Sequence, residues 1–157
     1  MPSAKQIGDW VRQVFDEESY HYEQSEDENS ISIIFPVEGK LEQSTTILSF
    51  RDDLLITNTY VEADAEEDCR QQAAEFLLRA NRGLVHGGFE LDYDNGEIRY
   101  HRALDCKDRT DLSKNLILIQ IISNLNALDK YGDALLGVLI GLKSPKEAIQ
   151  EVENAGL

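Results

Sequence analysis

The chain has 157 residues, 30 acidic and 15 basic for a formal net charge of −15, with 41% apolar and 29% charged residues. That length is the size of one ordinary domain and buries roughly two-thirds of the unfolded chain's surface without disulfide staples, and the composition is that of a globular rather than a disordered protein. A surface this acidic repels phosphate backbones and anionic lipid heads, which argues against nucleic-acid and membrane-surface roles.

In chain order, Ser3 and Gln6 stand at capping-box spacing, and Ile7, Trp10, Val11 and Val14 follow at i, i+3, i+4 and i+7. This predicts a short amphipathic helix ending near Phe15. The next stretch, DEESYHYEQSEDEN, carries seven acids without an apolar stripe and reads as a solvated strand edge or loop rather than a metal patch. Ile31, Ile33, Phe35 and Val37 then alternate, as do the residues of STTILSF and LLITNTYV, with only Arg51-Asp52-Asp53 between the last two. Three strands with no helix between them make an antiparallel meander. Asp64 and Glu67 suggest an N-terminal capping pair for a second helix. Its buried stripe is Cys69, Ala73, Phe76, Leu77 and Ala80, and it ends near Gly83.

A hairpin follows, and the chain then finishes helical. From Thr110 or Asp111 to about Gly141 runs a long segment in which Leu116, Ile117, Leu118, Ile119, Ile121 and Ile122 point in nearly every direction. A helix apolar all round must be covered on more than one side. Gly132 is a candidate break that would make the 111–141 segment two helices. The run Leu116 to Leu128 is too short and too interrupted by Gln, Ser and Asn to span a bilayer. Ser144-Pro145 with Glu147 reads as N-cap, first-turn proline and capping-box acid of a short last helix, with Ala148 and Val152 inward. The reading is an α+β fold in one domain spanning residues 1–157, an antiparallel sheet (meander plus hairpin) packed by helices in the order α-β-β-β(-β)-α-β-β-α-α.

The hairpin holds most of the candidate chemistry. Asn95-Gly96 is a strong type I′ signal, and with these two residues as the loop the register follows by counting outward. Asp94 faces Glu97, Tyr93 faces Ile98, Asp92 faces Arg99, Leu91 faces Tyr100 and Glu90 faces His101. Phe89, Leu91, Tyr93, Ile98 and Tyr100 then share the core face, while Glu90, Asp92, Arg99 and His101 share the outer one. The outer set forms opposite-sign pairs, each contributing about 0.2–1 kcal/mol on a solvated face. A carboxylate–histidine pair there lacks the pocket and nucleophile that catalysis requires.

Other chemistries fail on spacing. DYDNGEIRYHRA has Glu97 where a calcium loop needs its sixth-position glycine, and Ala103 where it needs its last glutamate. His21, His86 and His101 are scattered, and no GxGxxG, Walker A or GxSxG occurs. Gly87 and Gly88 after His86 serve to turn the chain from helix into strand. Cys69 and Cys106 form no CxxC, and the N-terminus has no continuous apolar run of a signal peptide, so a reducing, cytoplasmic location is expected.

Two stretches carry a family resemblance. AAEFLLRANRGLVHGGFELDYDNGEIRYHRALD, from Ala73, is similar to the core of the YbjN-like family, a domain related in fold to the type III secretion (Tir) chaperones. LDKYGDALLGVLIGLKSPKEAIQEVE, from Leu128, resembles that family's helical C-terminal end. The likeness is close over Ala73 to Glu153 and rests on structural signals, among them Asn81 and Gly83 closing a helix and the Asn-Gly turn. It implies a sheet packed by helices, a dimer, and a protein-binding or regulatory role rather than catalysis.

The expected function is a non-enzymatic protein-interaction module, chaperone-like or regulatory, with no cofactor, metal, membrane or nucleic-acid partner. Its partner would be a protein, itself included as a homodimer. The apolar helix supplies the candidate partner surface at Ile117, Ile121, Leu135 and Leu139. The alternative is a small-ligand binder or small enzyme using the outer face of the 89–102 hairpin.

Overall fold

The alternating strands and capped helices of the sequence assemble as follows in the computed structural model, which describes residues 1–155. Helix α1 (Ala4–Glu17) is followed by β1 (Glu23–Gln24), β2 (Ser30–Pro36), β3 (Gln43–Arg51) and β4 (Leu54–Val61), then α2 (Arg70–Arg82), β5 (Gly88–Leu91), β6 (Ile98–Asp105), α3 (Lys114–Leu139) and α4 (Pro145–Ala155). The strands form one antiparallel sheet of six in the order β1-β2-β3-β4-β6-β5. The fold is thus α+β, with the predicted meander and hairpin joined edge to edge through β4 and β6. The acidic run contributes β1, a two-residue edge strand that the sequence pattern does not distinguish from loop.

All four helices lie on one face of this sheet. Ile31, Ile33, Leu48, Phe50 and Leu55 point to that side and pack with Ile7, Val11 and Phe15 of α1 and with Ile117 and Ile121 of α3. Val61, Phe89, Ile98 and Tyr100 pack with Phe76 and Leu77 of α2, Tyr131 and Leu135 of α3, and Ile149 of α4. Between these two clusters lies a polar seam. The Asn124 amide, fully buried, donates to the Thr57 carbonyl (3.2 Å), the Thr59 hydroxyl (3.2 Å) and the Tyr100 carbonyl (3.4 Å), and the Thr46 and Thr59 hydroxyls meet at 2.8 Å. These bonds satisfy groups whose burial would otherwise cost about 1–3 kcal/mol each.

The 111–141 segment begins later than its sequence suggests and does not break. Ser113 caps it, accepting a hydrogen bond from the Leu116 amide at 3.1 Å, and α3 runs unbroken through Gly132. The glycine serves the loop between β2 and β3: a Cβ at Gly132 would stand 2.6 Å from Leu41 Cδ1. One turn before it Asp129, and immediately after it Asp133, accept hydrogen bonds from the loop amides of Glu38 (2.8 Å) and Lys40 (2.7 Å) respectively. The positions expected to form a partner surface are instead internal. Ile117, Ile121 and Leu135 are 0, 2 and 1% exposed within the single chain, and Leu139 is half-buried against the α2–α4 core. The helix is covered on several sides, but by its own sheet and by α1, α2 and α4.

Ser3 and Gln6 form the reciprocal capping box of α1, which continues two residues past Phe15, and Ser144 caps α4 through the Glu147 amide. The expected Asp64–Glu67 cap is absent. The chain enters α2 through a 3-10 turn, Glu67–Cys69, with no side-chain cap. Its path is fixed from outside: the Ala65 amide donates to the Gly96 carbonyl at 2.8 Å, and Arg70 Nε donates to the Ala65 carbonyl at 2.9 Å.

The hairpin register differs from the two-residue-loop expectation by two residues. Glu90 pairs with Arg99, Leu91 with Ile98, Phe89 with Tyr100 and Gly88 with His101. The connection is a four-residue loop, Tyr93 to Gly96, closed by the Asp92 amide on the Glu97 carbonyl (2.9 Å) and the Gly96 amide on the Asp92 carbonyl (2.7 Å). A type I′ turn needs positive φ at both central residues, and here only Gly96 has it, at +83°. Asp92 and Asn95 instead fold back on the Asp94 and Glu97 amides. A two-residue slip preserves faces, so Phe89, Leu91, Ile98 and Tyr100 remain inward, while Tyr93 leaves the core and is 56% exposed.

Candidate functional site

Among the described residues no element covers the face of the sheet away from the helices, and its side chains follow from the strand register. One rung runs Ile34, Thr45, Tyr60, Arg99, Glu90; the next Glu23, Ser32, Ile47, Asn58, His101, Gly88, beginning with the exposed acid of β1; the third Ser30, Ser49, Ile56, Ala103. None of these residues belongs to the two core clusters. Across β2, β3 and β4 these rungs carry no charged residue, in a chain of which 29% is charged. Ile34 is 61% exposed, and Ile47 and Ile56 are half-buried.

The ionisable residues gather at the β6–β5 end. Arg99 Nε donates to Glu90 Oε1 at 2.7 Å, and Arg99 Nη1 reaches the Tyr60 hydroxyl at 3.4 Å. These contacts, the Tyr60 bond first and Glu90 after it, hold the Arg99 guanidinium above its ordinary range. His101 Nδ1 lies 2.7 Å from Asn58 Oδ1 and 3.9 Å from Glu90 Oε1. Asn58 is only 8% exposed and anchors the imidazole through Nδ1. The expected outer-face set is therefore brought together in part. Glu90, Arg99 and His101 meet, but Arg99 takes Glu90 as its partner, and Asp92 turns into the loop. The inner side chains Ile117, Ile121, Leu135 and Leu139 contribute nothing to this face.

This arrangement is a satisfied ion pair and a tethered histidine, and the groups bonded to His101 include no hydroxyl or thiol nucleophile. Cys106 is fully buried beneath the sheet, where burial pushes its thiol above the ordinary value of 9.0. Among the described residues no group of three His, Cys, Asp or Glu side chains is placed to hold a metal ion, and no helix is long and apolar enough to cross a membrane.

The sequence pattern gives the outward face of the hairpin, but on β2, β3 and β4 only the inward face was followed. The outward signal was present in the same alternation: Ile34, Ile47 and Ile56 are aliphatic residues at solvent-side positions of adjacent strands. Only the pairing shows that they lie on neighbouring rungs.

A family model described as "Putative bacterial sensory transduction regulator" matches residues 8–137. The sequence matches no curated protein. The matched span runs from α1 through nearly all of α3 and takes in the whole sheet, and over it the chain belongs to the YbjN family.

Proposed function

We propose that this protein is a non-enzymatic regulatory module that works by protein–protein contact, and that the uncovered sheet face joins two copies of the chain. The observation that supports this reading is the neutral, partly aliphatic surface of β2, β3 and β4 in a molecule of net charge −15. Two like-charged copies approach at least electrostatic cost where neither presents charge. Five strands about 4.8 Å apart and three rungs about 6.8 Å apart give an area of roughly 500 Å² per copy, of which the neutral part on β2, β3 and β4 is about 300 Å² and the rest is the paired Arg99–Glu90 end. Two such faces bury on the order of 1,000 Å², at the lower limit for a specific interface. The family description as a regulator agrees with a role in contact rather than turnover. Two free cysteines suit work in a reducing cytoplasm, and the acidic surface disfavours nucleic acid as partner.

Sedimentation of the wild type and of Ile47→Asp at about 50 μM tests this, a concentration that populates a dimer of micromolar affinity. The wild type should sediment as a dimer and the variant as a monomer with an unchanged circular dichroism spectrum. A monomeric wild type, or a dimer indifferent to both Ile47→Asp and Ile56→Asp, would refute it.

A further inference from the structure

Beside the sheet face, at the edge where β5 begins, lies a notch of about 490 Å³ whose lining includes Val85, His86, Gly87, His101, Arg102 and Ala103 and one carboxylate, Glu90, which is neutralised by its pair with Arg99. We propose that this notch binds a small organic carboxylate, with Arg102 as the residue that holds the anion. This goes beyond the interface reading and does not rest on it.

Arg102 carries the argument. Its side chain is half-buried on the helix side of β6, and its one hydrogen-bond partner is the Ser123 hydroxyl of α3. Among the described residues no carboxylate lies within salt-bridge distance of it, although the chain has 30 acidic residues to offer. A partly desolvated guanidinium presents five donors in a planar fork, and one hydroxyl leaves most of that fork unused. Buried charge without a countercharge is costly, so a position that keeps one is a place where an anion from solution is stabilised. Burial is also the main influence on this group, drawing its pKa below the ordinary value.

The backbone opens the site. In the β5–β6 register, Gly87 would stand opposite Arg102 and His86 opposite Ala103, but pairing stops at Gly88–His101. On β6 the residues that bond to β5 are the odd-numbered ones, as the Glu97–Asp92 closure shows. The amide and carbonyl of Ala103 therefore face the notch with no strand beside them. Gly87 keeps it open: its φ is +114°, and a Cβ there would lie 2.6 Å from the His101 carbonyl and 3.4 Å from Arg102 Cβ. Two of the chain's three histidines line the same notch, and Val85, 84% exposed, forms an apolar lip. A guanidinium and a free backbone amide next to one aliphatic side chain match a carboxylate attached to a short aliphatic group.

The test is a titration of ¹⁵N-labelled full-length protein with pentanoate, with 1-pentanol and inorganic phosphate as parallel arms. Pentanoate should shift the Ala103 amide and the Arg102 Nε–H resonances with a Kd on the order of millimolar, as for a fragment of its size. Pentanol at equal concentration should leave both unchanged, and phosphate should bind several-fold more weakly for want of the Val85 contact. In Arg102→Gln the pentanoate Kd should rise about tenfold, the loss of one charge-assisted pair. Unshifted resonances at 20 mM pentanoate, shifts that map away from the notch, pentanol binding as well as pentanoate, phosphate binding at least as tightly, or an unchanged Kd in Arg102→Gln would each overturn the proposal. The wild-type map decides the matter even if the variant folds poorly.

Discussion

Replacing Gly96 by alanine tests how the hairpin is built. The φ of +83° costs a non-glycine residue about 1–2 kcal/mol. The added Cβ would fall 2.0 Å from the Ala65 carbonyl oxygen, a backbone atom that cannot swing aside. Relieving that overlap separates the loop from the entry to α2. It breaks the Ala65–Gly96 hydrogen bond of 2.8 Å and pulls Arg70 away from the Tyr93 and Asp94 carbonyls at 3.2 and 3.4 Å. At about 1 kcal/mol for the first and about 1–2 for the second, the total loss is roughly 3–5 kcal/mol. In a chain of this size that lowers Tm by on the order of 10 °C. Urea denaturation followed by circular dichroism measures it. Asn95→Ala is the control, since Asn95 does not have positive φ and supplies only the bond to the Glu97 amide. It should cost about 1 kcal/mol or less. A loss below about 1 kcal/mol in Gly96→Ala, or equal losses in the two variants, would refute the docked four-residue loop and favour the tight two-residue turn.

Two further perturbations probe other parts of the fold. Asn81 closes α2 and binds the outer edge of β5, accepting from the Phe89 amide at 2.7 Å and donating to the Phe89 carbonyl at 2.9 Å. Asn81→Leu leaves both backbone groups without partners and should destabilise the protein by about 2–3 kcal/mol, with Phe89 amide exchange faster by roughly 30-fold. The two thiols should differ in reactivity, because Cys69 is half-buried and Cys106 is buried with its thiol pKa raised by that burial. Iodoacetamide at pH 8 should label Cys69 in the native protein and Cys106 only on unfolding. A raised folded-state pKa favours the neutral thiol, so Cys106 adds stability below pH 9.0 that is lost as the unfolded thiol ionises above it. Removing the thiol with Cys106→Ala should flatten the stability profile above pH 9.

Much of the core was legible because strand alternation and helix spacing report burial directly. Ile31, Ile33, Leu48, Phe76, Leu77, Ala148 and Val152 all lie where their spacing puts them. What the sequence concealed depends on contacts between distant segments. Gly132 looks like a helix break until Leu41 arrives from the β2–β3 loop, and Asp129 and Asp133 look like solvated acids until the Glu38 and Lys40 amides reach them. Asn95-Gly96 misled on register because local turn preference was overridden by the docking of Gly96 on Ala65. The all-round apolar helix was rightly read as covered, but sequence cannot tell a chain's own sheet from a partner. The outward rungs were hidden for the same reason: which of Ile34, Ile47 and Ile56 are neighbours is decided by pairing alone.

An uncovered, neutral sheet face bearing exposed isoleucine is ordinarily an association hazard, and proteins commonly blunt such surfaces with charge. Across β2, β3 and β4 the charge is placed elsewhere, and that separation would give the proposed interface a distinctive salt response. Two copies carrying −15 each would repel through their acidic flanks while their neutral strands attract by burial. The repulsion reaches about 30 Å at 0.01 M salt and about 8 Å at 0.15 M. Raising the salt between these limits should therefore strengthen the dimer, by several-fold in Kd if as little as about 1 kcal/mol of repulsion is screened. An interface held by ion pairs, or contact with a nucleic acid, weakens over the same range. Sedimentation equilibrium at the two salt concentrations distinguishes them. A dimer that loosens as salt rises would place the contact on charged surface and remove the neutral face from consideration.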